Sequence, residues 1–136
     1  MSETAFQTTH TSARNPVTVV LSATAAAVAI WVVATLVGAE LTVSFAGQPI
    51  QKVTVVNVVV AALVGSLAGW GLLALLRRFT TNARAIWTVI AIVFLMISLG
   101  GPLLATASAG TKVALVAMHL AVATVTIVGL RRTKGR

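Results

Sequence analysis

Apolar and polar positions alternate along the chain in long blocks: four apolar runs, at about residues 16–38, 53–76, 85–106 and 113–130, are separated by short polar breaks. Each run approaches the ~20 residues that an α-helix needs to cross ~30 Å of hydrocarbon. Lipid offers the backbone no hydrogen-bond partner, so such runs are expected to be helical. The Ala-, Val- and Leu-rich text also lacks the strict alternation of a barrel strand. The predicted fold is an all-α membrane protein, with four transmembrane helices as two antiparallel hairpins over residues 14–132. The polar, aperiodic stretch 1-MSETAFQTTHTSA-13, which holds Glu3 and His10, reads as a disordered tail. Residues 133–136 read as a short basic tail, and Asn15-Pro16 as the cap and first position of helix one.

The breaks carry their own signals. In 41-LTVSFAGQPIQ-51, Leu41, Val43 and Phe45 alternate with Thr42 and Ser44 before the turn formers Gly47 and Pro49. A short extended segment or hairpin is expected there. The break 77-RRFTTNAR-84 is tight, with Asn82 placed to cap helix three. Span three is short: Ile86 to Leu99 covers only about 21 Å at ~1.5 Å per residue. The helix must therefore continue through 100-GGPLLA-105. Gly100, Gly101 and Pro102 then form an expected kink, since Pro102 cannot donate to the Ser98 carbonyl. Val37-Gly38-Ala39 resembles a signal cleavage site, but the apolar core from Val17 is far longer than the ~7–15 residues of a signal h-region, so span one is expected to be retained. Lys52-Val53 to Arg77-Arg78 and Lys112-Val113 to Arg131-Arg132 form a weak parallel repeat.

Composition strengthens the membrane reading. The chain is 58% hydrophobic and 9% charged, with a mean hydropathy of +1.02, and a soluble domain of 136 residues cannot hide that much apolar surface. A net charge of +8 and a pI near 12 raise nucleic acid as a partner. The placement of the charges argues against it. Arg14, Arg77, Arg78, Arg84, Arg131, Arg132, Lys134 and Arg136 fall on one side of the predicted membrane, and only Lys52 and Lys112 on the other. That asymmetry puts both termini in the cytoplasm, with the bilayer as the partner and anionic head groups near the basic clusters. The absence of cysteine from the sequence removes thiol nucleophiles and thiolate metal sites. Arg and Ala/Val usage is that of a GC-rich genome.

A few residues carry candidate chemistry. Ala61, Gly65 and Gly69 recur every four residues of helix two and make a smooth helix-packing face. Its partner is another helix of the chain or, as a homo-oligomer contact, a second copy. In 113-VALVAMHLAVATV-125, His119 sits within apolar text. Counted from the external ends, Ser98 and His119 both lie roughly 10 Å deep at ~1.5 Å per residue. The plainer reading is a clasp in which the imidazole satisfies the Ser98 carbonyl or hydroxyl. The sharper one adds Asn57 and Trp31 at similar depth, with Glu40 just beyond the external end of span one, and makes an outward-facing, proton-linked site. Trp87 is expected in the interfacial belt and Trp70 against a neighbouring helix. One membrane histidine cannot supply paired haem ligands, paired carboxylates are missing, and no phosphate-binding loop occurs. No catalytic, cofactor-binding or metal site is expected. The reading is a non-enzymatic structural or accessory membrane component, with a small transporter or channel around His119, Asn57 and Ser98 as the alternative.

The segments 15-NPVTVVLSA-23, 68-AGWGLLALLRR-78, 84-RAIWTVIAIV-93, Gly101-Pro102 and 118-MHLAVATVTIVGLRR-132 resemble an actinobacterial family of small four-helix membrane proteins of unknown function. The resemblance spans roughly residues 14–133 and implies a bacterial inner-membrane location, with no activity to carry over. Small multidrug exporters are similar in length and helix count, but they carry an acidic residue in the first span, which residues 17–38 lack. Quinone-linked disulfide enzymes need cysteines.

Overall fold

A computed structural model describes residues 15–133. The predicted tail at 1–13, Arg14 and Lys134–Arg136 lie outside the described residues. The elements are α1 (Pro16–Leu36), β1 (Thr42–Val43), β2 (Gln51–Lys52), α2 (Val55–Phe79), α3 (Ala83–Leu104) and α4 (Ala109–Arg131). All four helices are long and apolar enough to cross a membrane. The all-α fold read from the sequence is the fold observed. The bundle has a basic end, where Arg77, Arg84 and Arg131 lie, and a hairpin end, where β1 and β2 lie.

Local chemistry explains most helix limits. Asn15 Oδ1 accepts from the Val17 amide at 3.0 Å and Pro16 opens α1, as expected of a cap followed by proline. Thr54 and Ser108 cap α2 and α4 in the same way. Asn82 does not use its side chain at the start of α3. Its amide instead donates to Thr80 Oγ1 at 3.2 Å, and its carbonyl accepts from Ala85 and Ile86. Helix α4 begins at Ala109, earlier than the expected start at 113, because the Ser108 cap lets the polar stretch Gly110-Thr111-Lys112 form its first turn.

At the hairpin end, β1 pairs antiparallel with β2, Thr42 opposite Lys52 and Val43 opposite Gln51. The extended loop segment is thus observed as expected. Leu41, which precedes β1, adopts a φ of +42° in the left-handed region. It is 2% exposed, and its carbonyl accepts from Val53 at 2.7 Å, so burial and a bond hold an otherwise costly backbone conformation. Ser44 and Thr106 exchange backbone bonds of 3.0 and 2.8 Å, tying the α1–α2 connection to the α3–α4 connection.

The core is asymmetric. Ala27, Ala34, Leu41, Val58, Ala62, Ala114 and Met118 form one cluster between α1, α2 and α4 in the hairpin half. Val19, Leu73, Trp87 and Leu130 form a second cluster in the basic half, and only there does α3 join. Accordingly 11% of the most apolar part of α3 is buried, against 28% for α1 and α4. The close pair is α1 with α4. A Cβ built on Gly129 would lie 2.6 Å from Val19 Cγ1, so only glycine fits at that crossing.

At the basic end Thr133 is 2% exposed and belongs to the packed domain rather than to the tail. Arg77 Nη2 donates to its carbonyl at 3.2 Å and its hydroxyl at 3.3 Å, and Arg84 Nη2 donates to the same carbonyl at 2.9 Å. Two cations thus meet the negative end of the α4 dipole. Arg77→Met should lower unfolding stability in mild detergent by about 1.5 kcal/mol, the low end for hydrogen bonds made by a charged group, because Arg77 is only half-buried. Arg78→Met, which removes an exposed arginine with none of these bonds, should leave stability unchanged. Equal losses in the two variants would show that charge alone, and not the cap, is involved.

Candidate functional site

Between its buried residues Trp87 and Pro102, α3 stands off the core, and a cavity of about 650 Å³ forms between α2, α3 and α4. Its anchor is Trp87, whose indole Nε1–H donates to the Gly69 carbonyl at 2.8 Å, with 1% of the residue exposed. Trp87 is therefore a core residue and not part of an interfacial belt. The sequence expectation failed because three residues of separation from Arg84 say nothing about which way the ring turns. Trp70 packs beside the same cluster, as expected.

The cavity wall includes Asn57 from α2, Ser98 from α3 and His119 from α4. Three residues singled out as polar positions within apolar text thus share one space. Glu40 does not: it is exposed in the α1–α2 connection and outside the lining. Trp31 is also outside the lining and uses its Nε1–H on the Val53 carbonyl at 3.0 Å, fastening α1 to the start of α2.

The expected clasp between His119 and Ser98 is not formed. His119 Nδ1 lies 2.7 Å from the Leu115 carbonyl on its own helix, and no hydrogen bond joins it to Ser98. The helix limits give the reason: α4 starts at Ala109 and α3 ends at Leu104, which puts His119 about 15 Å and Ser98 about 9 Å from their helix ends at ~1.5 Å per residue. The two were not level. Asn57 Nδ2 donates to the Lys52 carbonyl at 3.4 Å.

The small-residue face of α2 divides. A Cβ on Gly69 would meet Thr126 Cγ2 at 3.6 Å and Trp87 Cζ2 at 3.7 Å, whereas one on Gly65 would meet nothing within 4 Å. Ala61 and Gly65 line the cavity and are exposed. Within the chain, close packing on this face is thus confined to Gly69. Ser66, on the adjoining face, is fully buried and shares a 3.2 Å hydrogen bond with Thr126. Gly100, Gly101 and Pro102 lie inside α3, which continues to Leu104. Pro102 is buried, and Lys112 Nζ donates to the Leu103 carbonyl at 3.2 Å, satisfying one acceptor at the helix end.

Fold and site together define a multi-pass, four-helix membrane protein with a side cavity between three of its helices. The chain belongs to a family of unknown function (DUF6069), which matches residues 7–136. No curated protein and no solved structure matches it.

Proposed function

We propose that the protein is a non-enzymatic component of an actinobacterial cytoplasmic membrane, with both termini cytoplasmic, that holds a guest molecule in the cavity between α2, α3 and α4. The carrying observation is the convergence of Asn57, Ser98 and His119, from three different helices, on a single cavity of about 650 Å³. That volume lies within the ~300–1,000 Å³ of small-molecule sites, which pair apolar walls with a few polar groups. A purely structural role for the histidine would be served by a bond across helices, and the ring bonds its own helix instead. The second core cluster, with Leu73 and Trp87, supports holding over conduction, since it packs the basic half of the bundle. The eight-to-two distribution of basic residues supports the orientation.

The cysteine-free chain makes the test direct. Single cysteines at Ser98 and His119 are treated, in membranes, with a lipid-soluble thiol reagent, with Phe45→Cys in the exposed connection as control. Both cavity positions should label, and adding Gly65→Leu, whose side chain projects into the cavity, should suppress labelling at least severalfold. Folded variants in which only Phe45→Cys labels would return His119 to a structural role.

A further inference from the structure

The cavity's chemistry specifies the guest more closely, and this inference rests on the guest-holding reading above. We infer that the guest is a neutral, single-chain amphiphile with a hydroxyl head, taken sideways from the bilayer, its chain lying along the slot between α2 and α3 and its hydroxyl donating to Nε2 of His119.

The route follows from exposure. Val64 on α2 is 62% exposed and Phe94 on α3 is 69% exposed, yet both line the cavity. The slot therefore opens on the flank of the bundle, between helices whose outer faces meet lipid, so its natural visitor is already dissolved in the bilayer. Shape follows from the helices. Asn57 and Leu72 both line the cavity and lie about 22 Å apart along α2 at ~1.5 Å per residue. Spread over that length, about 650 Å³ gives a mean section of roughly 30 Å². A slot of that length accommodates a single extended chain of carbon atoms in contact with its walls at ~4 Å.

Charge excludes an ionic head. No Asp, Glu, Lys or Arg lines the cavity, and an unpaired ion there would carry a large desolvation penalty. Ser98 and His119 lie on the hairpin side of Thr126, which is already bonded to Ser66. The tautomer then selects the head group. A carbonyl oxygen only accepts, so the 2.7 Å contact to Leu115 requires the proton on Nδ1. In the neutral ring Nε2 then carries the lone pair and is an acceptor. Among the described residues no buried side-chain nitrogen or oxygen lacks a partner. Nε2, which has none, is therefore reachable, and so is the Ser98 hydroxyl. Among neutral heads, a hydroxyl is the simplest that donates to Nε2. An ether of the same chain offers no donor.

Trp87 reports occupancy, because it lines the cavity at the far end from Asn57. It lies about 16 Å from Ser98 along α3 at ~1.5 Å per residue. The experiment uses the full chain carrying Trp31→Phe and Trp70→Phe in phosphatidylcholine nanodiscs, and titrates dodecanol bearing a terminal bromine against its methyl ether. The alcohol should quench Trp87 at about tenfold lower membrane concentration than the ether, the scale of one unsatisfied acceptor. His119→Phe should bring the two together, and Gly65→Leu should abolish quenching by both. Equal quenching by alcohol and ether that Gly65→Leu removes would keep a guest-holding cavity but overturn the hydroxyl and His119 assignment. Quenching by neither, or quenching indifferent to Gly65→Leu, would overturn the cavity reading itself. A Gly65→Cys protein that forms a disulfide-linked dimer and loses quenching would put a second copy in the slot, which also overturns the proposal.

Discussion

Trp87→Ala is expected to lower unfolding stability by about 3 kcal/mol, the low end of the ~3–5 kcal/mol range for large aromatic truncations in water-soluble cores. The low end applies because lipid is as apolar as the core, so the transfer part of the penalty is reduced and lost packing remains. Trp87 is the largest of the nearly fully buried side chains and the α3 member of the basic-end cluster. It also donates to the Gly69 carbonyl at 2.8 Å, the hydrogen bond that fastens α3 to α2 below the cavity. Trp87→Phe keeps most of the ring and loses that bond, so its cost should be only about 1 kcal/mol. Denaturation in mixed detergent micelles, followed by helix content, measures both. A Trp87→Ala protein within about 0.5 kcal/mol of wild type, the usual span for unimportant surface changes, would show that α3 is held by something other than this contact.

Gly129 is the second sensitive position. An added Cβ would lie 2.6, 2.8 and 3.2 Å from Val19 Cγ1, Cγ2 and Cβ. Val19 is 2% exposed and, being β-branched in a helix, has essentially one rotamer. It cannot swing aside, so α1 and α4 must separate. Gly129→Ala should cost about 1–3 kcal/mol through overpacking, and Gly129→Leu should largely prevent recovery of folded protein. Val19→Ala in the same chain should restore much of the Gly129→Ala loss, a coupling visible in a double-mutant cycle. Strict additivity of the two changes would falsify the contact. Gly65→Leu is the built-in contrast. Its added atoms meet open space, so it should fold like wild type while filling the cavity.

These two positions also mark what was legible in the sequence. The glycine face at Ala61, Gly65 and Gly69 is regular and easily seen, yet its middle residue packs nothing in the chain. Gly129, in the text 125-VTIVGLRR-132, has no partner four residues away and gives no such signal. Its importance comes from Val19, which is remote in sequence. His119, Ser98 and Asn57 stood out because polar groups are costly in apolar runs, and all three do line the cavity. Glu40 does not, and Trp31 is occupied at Val53. The bond from His119 to Leu115 joins residues one turn apart and was open to prediction from helical spacing, but the depth comparison with Ser98 depended on a helix start that the Ser108 cap moved.

By itself, then, the sequence determined the class of the protein: four apolar helices, their approximate limits, the small hairpin after the first of them, and the end of the bundle at which basic residues gather. Those features depend on local hydropathy, capping and charge, which each segment carries alone. Only the tertiary structure decided which helix stands apart, where the cavity opens, which glycine is indispensable and which tryptophan is an anchor. The reason is physical. In a soluble helix the polar face marks the outside, but here both lipid-facing and core-facing positions are apolar, so the text of a span does not state its rotation. That rotation is settled by the fit of side chains between helices, as where Val19 meets Gly129 and Trp87 meets Gly69.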